Sequence, residues 1–512
     1  MDKLSRRHVL RGLGSVSLVL GVGALVTACG GASSGSSGSS ATSSGGQSSP
    51  APASSGQAPA APAAASNAAA APTSIPASII VATPGSTPSD AGAPSPDLVA
   101  KPPKSAQPIT LHFNMRTGGD KGEAAIYVYR PQEWQEQTGN KVTLDPIPGD
   151  ANYFPKIISL AAAGTIGDLA WTSDVQDGHS HLVLAKVLEP ADSYMASYKI
   201  SKDEWFKPIT DSLTYDGKMY GMPKTGHPGA AYVWVNLKMF KDAGIPEPPV
   251  YGNTWDDLHT WAVKLTKGSP DRRDVYGLYY DIPDIQGITD GVRAFGGDIL
   301  SIDGTKAQID QKPFQDWLTW MHQIVVVDKV HPLGEAVPSG GVASLFAAEK
   351  LAMAHQQRAF QFQARNAVKD KFPFKAIQLP RQSNAVGWIS AIDTHSGTAA
   401  SKYKDEAFTL TYALADKRFS FLVGKFNGYL TGRKDNLQDL ASYAQDPFLQ
   451  LQQKCTEQEE RGMWRPKNLR EVEIETAINN QLDLIWLNKN QPDSKFISGL
   501  QKSLDDILAK PT

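Results

Sequence analysis

The sequence predicts an α/β protein of two lobes, carried behind an export signal and a long unstructured tether. Three observations predict it. Strand-like and helix-like stretches alternate from Ile109 onward. About 400 residues follow Ser105, more than one ordinary core organises. Ahead of them, residues 1–105 have the composition of a signal followed by a spacer.

The signal comes first, over residues 1–28. Arg6 and Arg7 precede an apolar run from about Val16 to Val26, which closes on small residues and Cys29. A charged start, a short apolar stretch and a small-residue end describe a secretory signal. A membrane span needs about 20 continuous apolar residues, and Ser15, Ser17, Gly21 and Gly23 interrupt this run. Ser5-Arg6-Arg7-His8-Val9-Leu10 resembles the twin-arginine export signal. Val26-Thr27-Ala28-Cys29 resembles the bacterial lipobox, whose cysteine receives a lipid and becomes the mature N-terminus.

The tether is expected over residues 29–105. From Gly30 to Ala100 it holds no aromatic residue, and Asp90 and Asp97 are its charges. Such a stretch buries too little apolar surface to offset its ordering entropy. Some 70 flexible residues reach roughly 45 Å. Gly31-Ala32-Ser33-Ser34-Gly35 fits G-x-S-x-G, but that motif has meaning on a strand-to-helix turn and not in a tether.

The folded part is expected over residues 106–512. "ITLHFNM" (Ile109 to Met115) alternates as a strand does. "ANYFPKIISLAAAG" reads as a helix closed by Gly164, and "DLAW" as the next strand. Such alternation implies parallel pairing. In "PFQDWLTWMHQIV", Phe314, Trp317, Leu318, Met321, Ile324 and Val325 keep helical spacing. "EVEIETAINNQLDLIW" does the same with Ile474, Ile478, Leu482 and Ile485. Trp317 and Trp320 are read as core and surface.

Composition narrows the function. A formal net charge of −2 gives no reason to expect a nucleic-acid partner. With Cys29 lipidated, Cys455 has no disulfide partner and reads as a small buried hydrophobe. H-E-x-x-H, C-x-x-C and the phosphate-cradling G-x-x-x-x-G-K-[ST] are absent from the sequence. His179 and His181 lack a third ligand at motif spacing. No metal and no cofactor are expected.

From Ile109 to Leu508 the order of motifs resembles the bacterial extracellular solute-binding proteins of the carbohydrate type, the maltose-binding-protein-like family. "FPKIISLAAAGTIGDLAW" is similar to that family's helix followed by G-T-x-P-D, with Gly167 where proline is usual. "YDGKMYGMPKTGHPGAAYVWVNLKMFKDAGIPEPP" resembles its DGKxYGxP…FKxAGxxxPP block, and "TWDDLHTWAVKLTK" the helix that follows. "RAFGGDILSIDGTKAQID" and "SLFAAEKLAMAHQQRAF" resemble two later blocks. In the last, Glu349 replaces a glycine, and Gln357, Arg358 and Phe360 stand near the usual G-x-W.

The resemblance implies a two-lobed periplasmic-binding-protein-like fold, a monomer closing by hinge motion on a small solute. The first lobe would take about residues 109–220 and 393–450, the second about 221–392 and 451–510. ABC permease subunits would be the partners, and the lipid on Cys29 the link to the membrane.

Ligand pockets in α/β lobes form past the C-terminal ends of strands. That rule selects Asn114 and Arg116, then Trp171, Thr172, Ser173 and Asp174. The resemblance adds His227, Tyr232 and Trp234 near the first crossing, and Phe295 beside paired glycines. Phe360, Trp388, Trp464 and Arg465 complete the set. Trp234, between Val233 and Val235, is equally suited to the second lobe's core.

Two functions follow. The first is a lipid-anchored, extracytoplasmic protein that captures a sugar or oligosaccharide for an ABC importer, with a sensor that feeds no transporter as a variant. Polyols, polyamines, metal chelates and peptides are other solutes of the same reading. The second is an exported enzyme acting on polysaccharide, with Asp168 and Asp174 as acid and base.

Overall fold

The computed structural model describes residues 98–117, 121–148, 153–175, 178–383, 386–427, 431–435, 447–456, 465–466 and 468–510. The export signal, Cys29 and the tether up to residue 97 lie outside the described residues, as does Trp464. Among the described residues, no helix is long and apolar enough to cross a membrane.

Among the described residues, twelve strands appear in chain order: β1 (Thr110–Thr117), β2 (Lys141–Pro148), β3 (Leu169–Ser173), β4 (Thr214–Tyr215), β5 (Lys218–Met219), β6 (Met222–Pro228), β7 (Tyr232–Asn236), β8 (Lys267–Ser269), β9 (Arg272–Tyr279), β10 (Leu351–His355), β11 (Phe374–Gln378) and β12 (Ser390–Gly397). They form two five-stranded sheets, ordered β2-β1-β3-β12-β6 and β11-β7-β10-β9-β8. β4 and β5 make a small hairpin about Asp216-Gly217, both at positive φ, as that turn requires.

The expected parallel pairing holds in part of each sheet. β1 runs parallel to β2 and β3, and β10 parallel to β9. β12 is antiparallel to both β3 and β6, and β7 to both β10 and β11. These reversals come from the strands that carry the chain between the sheets.

The predicted helices form where the apolar spacing placed them. Tyr153–Ala162 buries Tyr153 and Ile157, and Gly164 just past it has φ 66°, the left-handed cap that glycine tolerates. Lys312–His322 buries Phe314, Trp317, Leu318 and Met321, and a π-helical turn Gln323–Val327 carries on to bury Ile324 and Val325. Trp320 is half-buried at the edge of the same core. Glu471–Trp486 buries Ile474, Ile478, Leu482 and Ile485.

The apolar cores divide the chain. One contains residues from Ala231 to Trp388 and from Phe448 to Leu504. The others take Leu98 to Met222 and Ile392 to Val423. The first lobe thus keeps the chain to the end of β6, past the expected boundary near residue 220, because β6 pairs with β12. Phe448 belongs to the second core, before the expected boundary at 450. The helix Pro447–Thr456 packs against β6 and β11, one strand from each sheet.

The end of the expected tether also folds. Leu98 is 6% exposed and Ala100 2%, each part of a first-lobe core. Ser105 donates from its hydroxyl to Glu406 Oε1 at 3.2 Å. A lone leucine in a polar stretch is no core signal by itself, yet it finds an apolar seat.

Candidate functional site

The first and second crossings run side by side between the sheets. Gly229 N donates to Ile389 O at 2.9 Å, and Leu379 N to Ala231 O at 2.9 Å. A Cβ on Gly229 would come within 2.7 Å of Ile389 Cγ2 and 2.8 Å of Gln286 Oε1, so the approach admits only glycine.

Three buried groups hold these crossings. Asp290, in the helix Ile285–Ala294 of the second lobe, accepts Ala230 N at 2.7 Å and Ile389 N at 2.6 Å. Asp174, just past β3 in the first lobe, accepts the Ser390 hydroxyl at 2.7 Å and Ile392 N at 2.8 Å. Burial pushes each carboxyl up to about 6. Arg465 and these hydrogen bonds temper the shift at Asp174; hydrogen bonds from both crossings, with Arg293 and Arg381, temper it at Asp290. The third group is Arg465, which donates to Ser390 O from Nη2 at 3.1 Å and Nε at 3.3 Å and forms an ion pair with Glu471. His355 adds a contact from β10, with Nε2 at 2.6 Å from Ala230 O; burial keeps this ring neutral, and that bond sets Nε2–H as the donor.

The strand-end residues of the first lobe divide by face. Trp171 stacks on Phe154, centroids 5.9 Å apart, and stands edge-to-face to Tyr153 at 5.2 Å. The Arg116 guanidinium lies 4.8 Å from the Trp171 ring centroid. The Tyr153 hydroxyl donates to Trp171 O at 2.8 Å and Asn114 O at 3.2 Å, tying β1 to β3. Trp171 Nε1 is buried with no hydrogen-bond partner among the described residues. Asn114 is a strut: its Oδ1 accepts Gly167 N at 2.7 Å.

Thr172 departs from the expected ligand-facing position, because successive side chains on a strand point to opposite faces. Its hydroxyl meets His179 Nδ1 at 3.0 Å, Ser396 at 3.1 Å and Thr394, inside the first lobe. The His179 of the candidate metal pair is thereby fixed to a threonine. Among the described residues no three His, Cys, Asp or Glu side chains gather as metal ligands. Ser173 accepts Val175 N at 3.3 Å, a local turn bond.

Several expected aromatic contacts instead build the second lobe's interior. Trp234 lies 4.7 Å from Phe448 and 5.8 Å from Phe360, fully enclosed, so the core alternative applies to both Trp234 and Phe360. Phe295 packs on Trp255 at 4.8 Å. Trp388, in the second crossing, is covered by Arg381 at 4.2 Å. His227 and Tyr232 flank the first crossing, and both feel Arg358. His227 Nδ1 bonds Pro228 O at 2.6 Å, while burial, then Arg358, holds its pKa well below the usual range.

The structure therefore gathers Asp174 and Arg465 about Ser390 and adds residues the sequence reading did not select. Asp281 and Asp284 follow β9 and meet the strand-end rule as well as Asp174 does. Glu475 sits on the helix Glu471–Trp486, whose apolar spacing speaks only for its other face. Gln357, noted as a departure from G-x-W, donates to Asp284 Oδ2 at 2.5 Å. Asp290 gave no local signal, being defined by two distant backbone donors.

A separate small hollow is lined by Glu189, Tyr194, Lys404 and Phe408, beside Gly221 and Gly397. It lies at the other end of β6 and β12 from Asp174.

Comparison with known proteins bears on the same arrangement. The sequence pattern of the bacterial extracellular solute-binding proteins matches residues 117–417, more than half of the chain. No curated protein matches the sequence. Among solved structures, an ABC substrate-binding protein of Listeria monocytogenes in complex with cycloalternan is 18% identical, TM-score 0.65, over 78% of this chain and 99% of its own. The sugar-binding protein MalE of Xanthomonas citri is 18% identical, TM-score 0.66, over 78% and 97%. A solute-binding protein of Thermotoga lettingae bound with α-D-tagatose is 20% identical, TM-score 0.63, over 78% and 100%. At such identities the likeness is one of fold.

Proposed function

The chain belongs to the bacterial extracellular solute-binding protein family, and from that premise we propose that it captures a sugar or oligosaccharide and delivers it to an ABC importer. The observation that carries the reading is the junction at Ser390. There a first-lobe carboxylate, a crossing strand and the Arg465–Glu471 pair meet among buried polar groups. Fixed polar groups suit a sugar, which offers rims of hydroxyls that both donate and accept. The sugars named for the Listeria and Thermotoga proteins support that choice of solute.

The family places the protein outside the cytoplasm. A lipid on Cys29 would hold it to the membrane, with the segment before Leu98 as spacer. It acts as a monomer and performs no chemistry on its ligand. ABC permease subunits are the expected partners, and a sensor without a transporter is the variant that a neighbouring permease gene would exclude.

The enzyme alternative fails on geometry for the carboxylates it named. Asp168 and Asp174 stand at opposite ends of β3, and at about 3.3 Å per residue they are roughly 20 Å apart. Paired glycosidase carboxylates lie roughly 5–10 Å apart. Asp168 is also committed, accepting His112 N at 2.8 Å and the Ser401 hydroxyl at 2.6 Å.

Calorimetry of the purified protein with maltotriose, tagatose and related sugars tests the reading. Saturable binding with the sugar recovered intact is expected. A sugar converted to product, or a protein indifferent to every sugar in the panel, would overturn it.

A further inference from the structure

Two buried carboxyls grip the crossings, and the groups they grip differ in kind. Asp290 of the second lobe accepts backbone hydrogens: Oδ2 takes Ala230 N at 2.7 Å and Oδ1 takes Ile389 N at 2.6 Å. Asp174 of the first lobe takes Ile392 N on Oδ1 at 2.8 Å, but a hydroxyl, that of Ser390, on Oδ2 at 2.7 Å. Ser390 Oγ in turn accepts the Ser212 hydroxyl at 3.3 Å, from the end of the first-lobe helix Lys207–Ser212. Both serines are buried. Asp174 N also donates to Ile392 O at 3.0 Å.

A backbone N–H can only donate, whereas a hydroxyl donates or accepts and rotates to suit its neighbour. The difference matters when a carboxyl takes up a proton. A proton on Asp174 Oδ2 can be donated to Ser390 Oγ, and Ser390 can turn its own hydrogen to Ser212. Oδ1 goes on accepting Ile392 N, so neither partner is lost. On Asp290 each oxygen already faces an N–H that cannot turn. A proton on either oxygen sets donor toward donor and replaces a charge-assisted bond by a weaker one.

Both carboxyls, pushed up to about 6 by burial, change charge between pH 7 and pH 5. The groups around Asp290 keep theirs. It faces Arg293 on its own helix and Arg381 ahead of the second crossing, both cationic throughout. Tyr232 of β7, Tyr280 just past β9 and Cys455 of the helix Pro447–Thr456 also face it, and burial raises all three, so they stay neutral. His355, against Ala230 O, is lowered by burial to about 3 and stays neutral as well. Asp174 faces Arg465 and its ion-pair partner Glu471. Protonation of Asp290 relieves a buried charge, which favours the fold as pH falls through about 6, and in the same step weakens the two bonds that favour the ionised form.

We propose that acid slackens the second lobe's grip on the crossings, at Asp290, and spares the first lobe's grip, at Asp174. The link between Ile389 and Ser390 is then freed on one side, and the lobes turn more readily against each other. The hinge itself becomes sensitive to the acidity outside the cell, whichever solute is captured.

The test is amide hydrogen exchange on the full chain at pH 7 and pH 5, read by mass spectrometry with electron-transfer fragmentation. Exchange times are scaled for the intrinsic pH dependence of amide exchange. Protection at Ala230, Ile389 or both is expected to fall about tenfold or more at pH 5, while protection at Ile392 changes less than threefold. Asp290→Asn should show the lower protection at both pH values. Ser212→Ala, which removes the acceptor that lets Ser390 turn, should make Ile392 lose protection at pH 5 too. Ala230 and Ile389 protected alike at both pH values in the parent overturn the inference, and so does an Ile392 that loses protection with them. An Ile392 indifferent to pH in Ser212→Ala removes the reason for the first lobe's hold and overturns it as well.

Discussion

Asp290→Asn separates two terms that nearly cancel in the native protein. The carboxylate accepts Ala230 N and Ile389 N, one from each crossing, and is fully enclosed. Asparagine keeps the size and one acceptor oxygen, but sets an NH₂ against the other backbone N–H. Losing one hydrogen bond to a charged group costs about 1.5–3 kcal/mol, and stranding the donor sets the scale of the rest. Against that, burial raises the carboxyl from 3.8 to about 6. Keeping it ionised at neutral pH therefore costs about 3 kcal/mol, which the amide avoids. The net loss at pH 7 should be small, about 0–3 kcal/mol.

The pH dependence should not be small. A carboxyl raised in the folded state holds its proton where the unfolded chain has released it. The stability it contributes is full below about 4 and is lost as pH rises through about 6. Moving from pH 7 to pH 5 should stabilise the parent by about 1.3 kcal/mol through Asp290 alone, an increment the variant lacks. Urea unfolding at pH 7, 6 and 5, followed by tryptophan fluorescence, measures this. Equal increments in parent and variant would refute the burial argument. A loss above about 4 kcal/mol at pH 7 would refute the cancellation.

Three further outcomes are expected. Trp171→Phe keeps a ring on Phe154 but removes the unpartnered Nε1; if that N–H serves the solute, sugar affinity falls about tenfold, 1.4 kcal/mol, and unchanged calorimetry puts the ligand elsewhere. Deleting residues 31–90 should leave the melting temperature unchanged, whereas Leu98→Ala, which empties a core position, should cost about 2–5 kcal/mol in urea; the reverse pattern would show that the tether begins elsewhere. Cys29→Ser should abolish labelling by radioactive fatty acid, and a mutant that still incorporates it would remove the lipobox reading.

Much of the fold was legible because it obeys short-range rules. The spacing of Phe314, Trp317, Leu318 and Met321 fixed a helix face, and Gly164 marked a helix end. Strand geometry alone also decides which side chains of β3 share a face. Thr172 must face away from Trp171 and Ser173, and the hydroxyl network with Thr394 and Ser396 is where it points. The mixed pairing of both sheets was not legible, since β12 and β7 take their directions from partners more than a hundred residues away. Leu98 illustrates the same limit, because composition averaged over a tether hides one buried side chain. Asp174 was found by its position after a strand. Asp281 and Asp284 hold the same position after β9, whose residues Arg272 to Tyr279 open on charges and lack a clean alternation, so the strand end is not marked in the sequence.

The two aspartates divide the second crossing between the lobes. Asp290 reaches from the second lobe to Ile389 N, and Asp174 from the first lobe to Ser390 and Ile392. The change of grip falls across a single peptide link. Residues on either side are held by carboxylates from different cores, so a rotation of one lobe against the other would concentrate its backbone change there and at Gly229, its hydrogen-bonded neighbour. Arg465 bears on the same link, since the carbonyl it grips is that of Ser390. A solute that altered the charge around Arg465, Glu471 and Glu475 would act directly on the group that steadies the pivot.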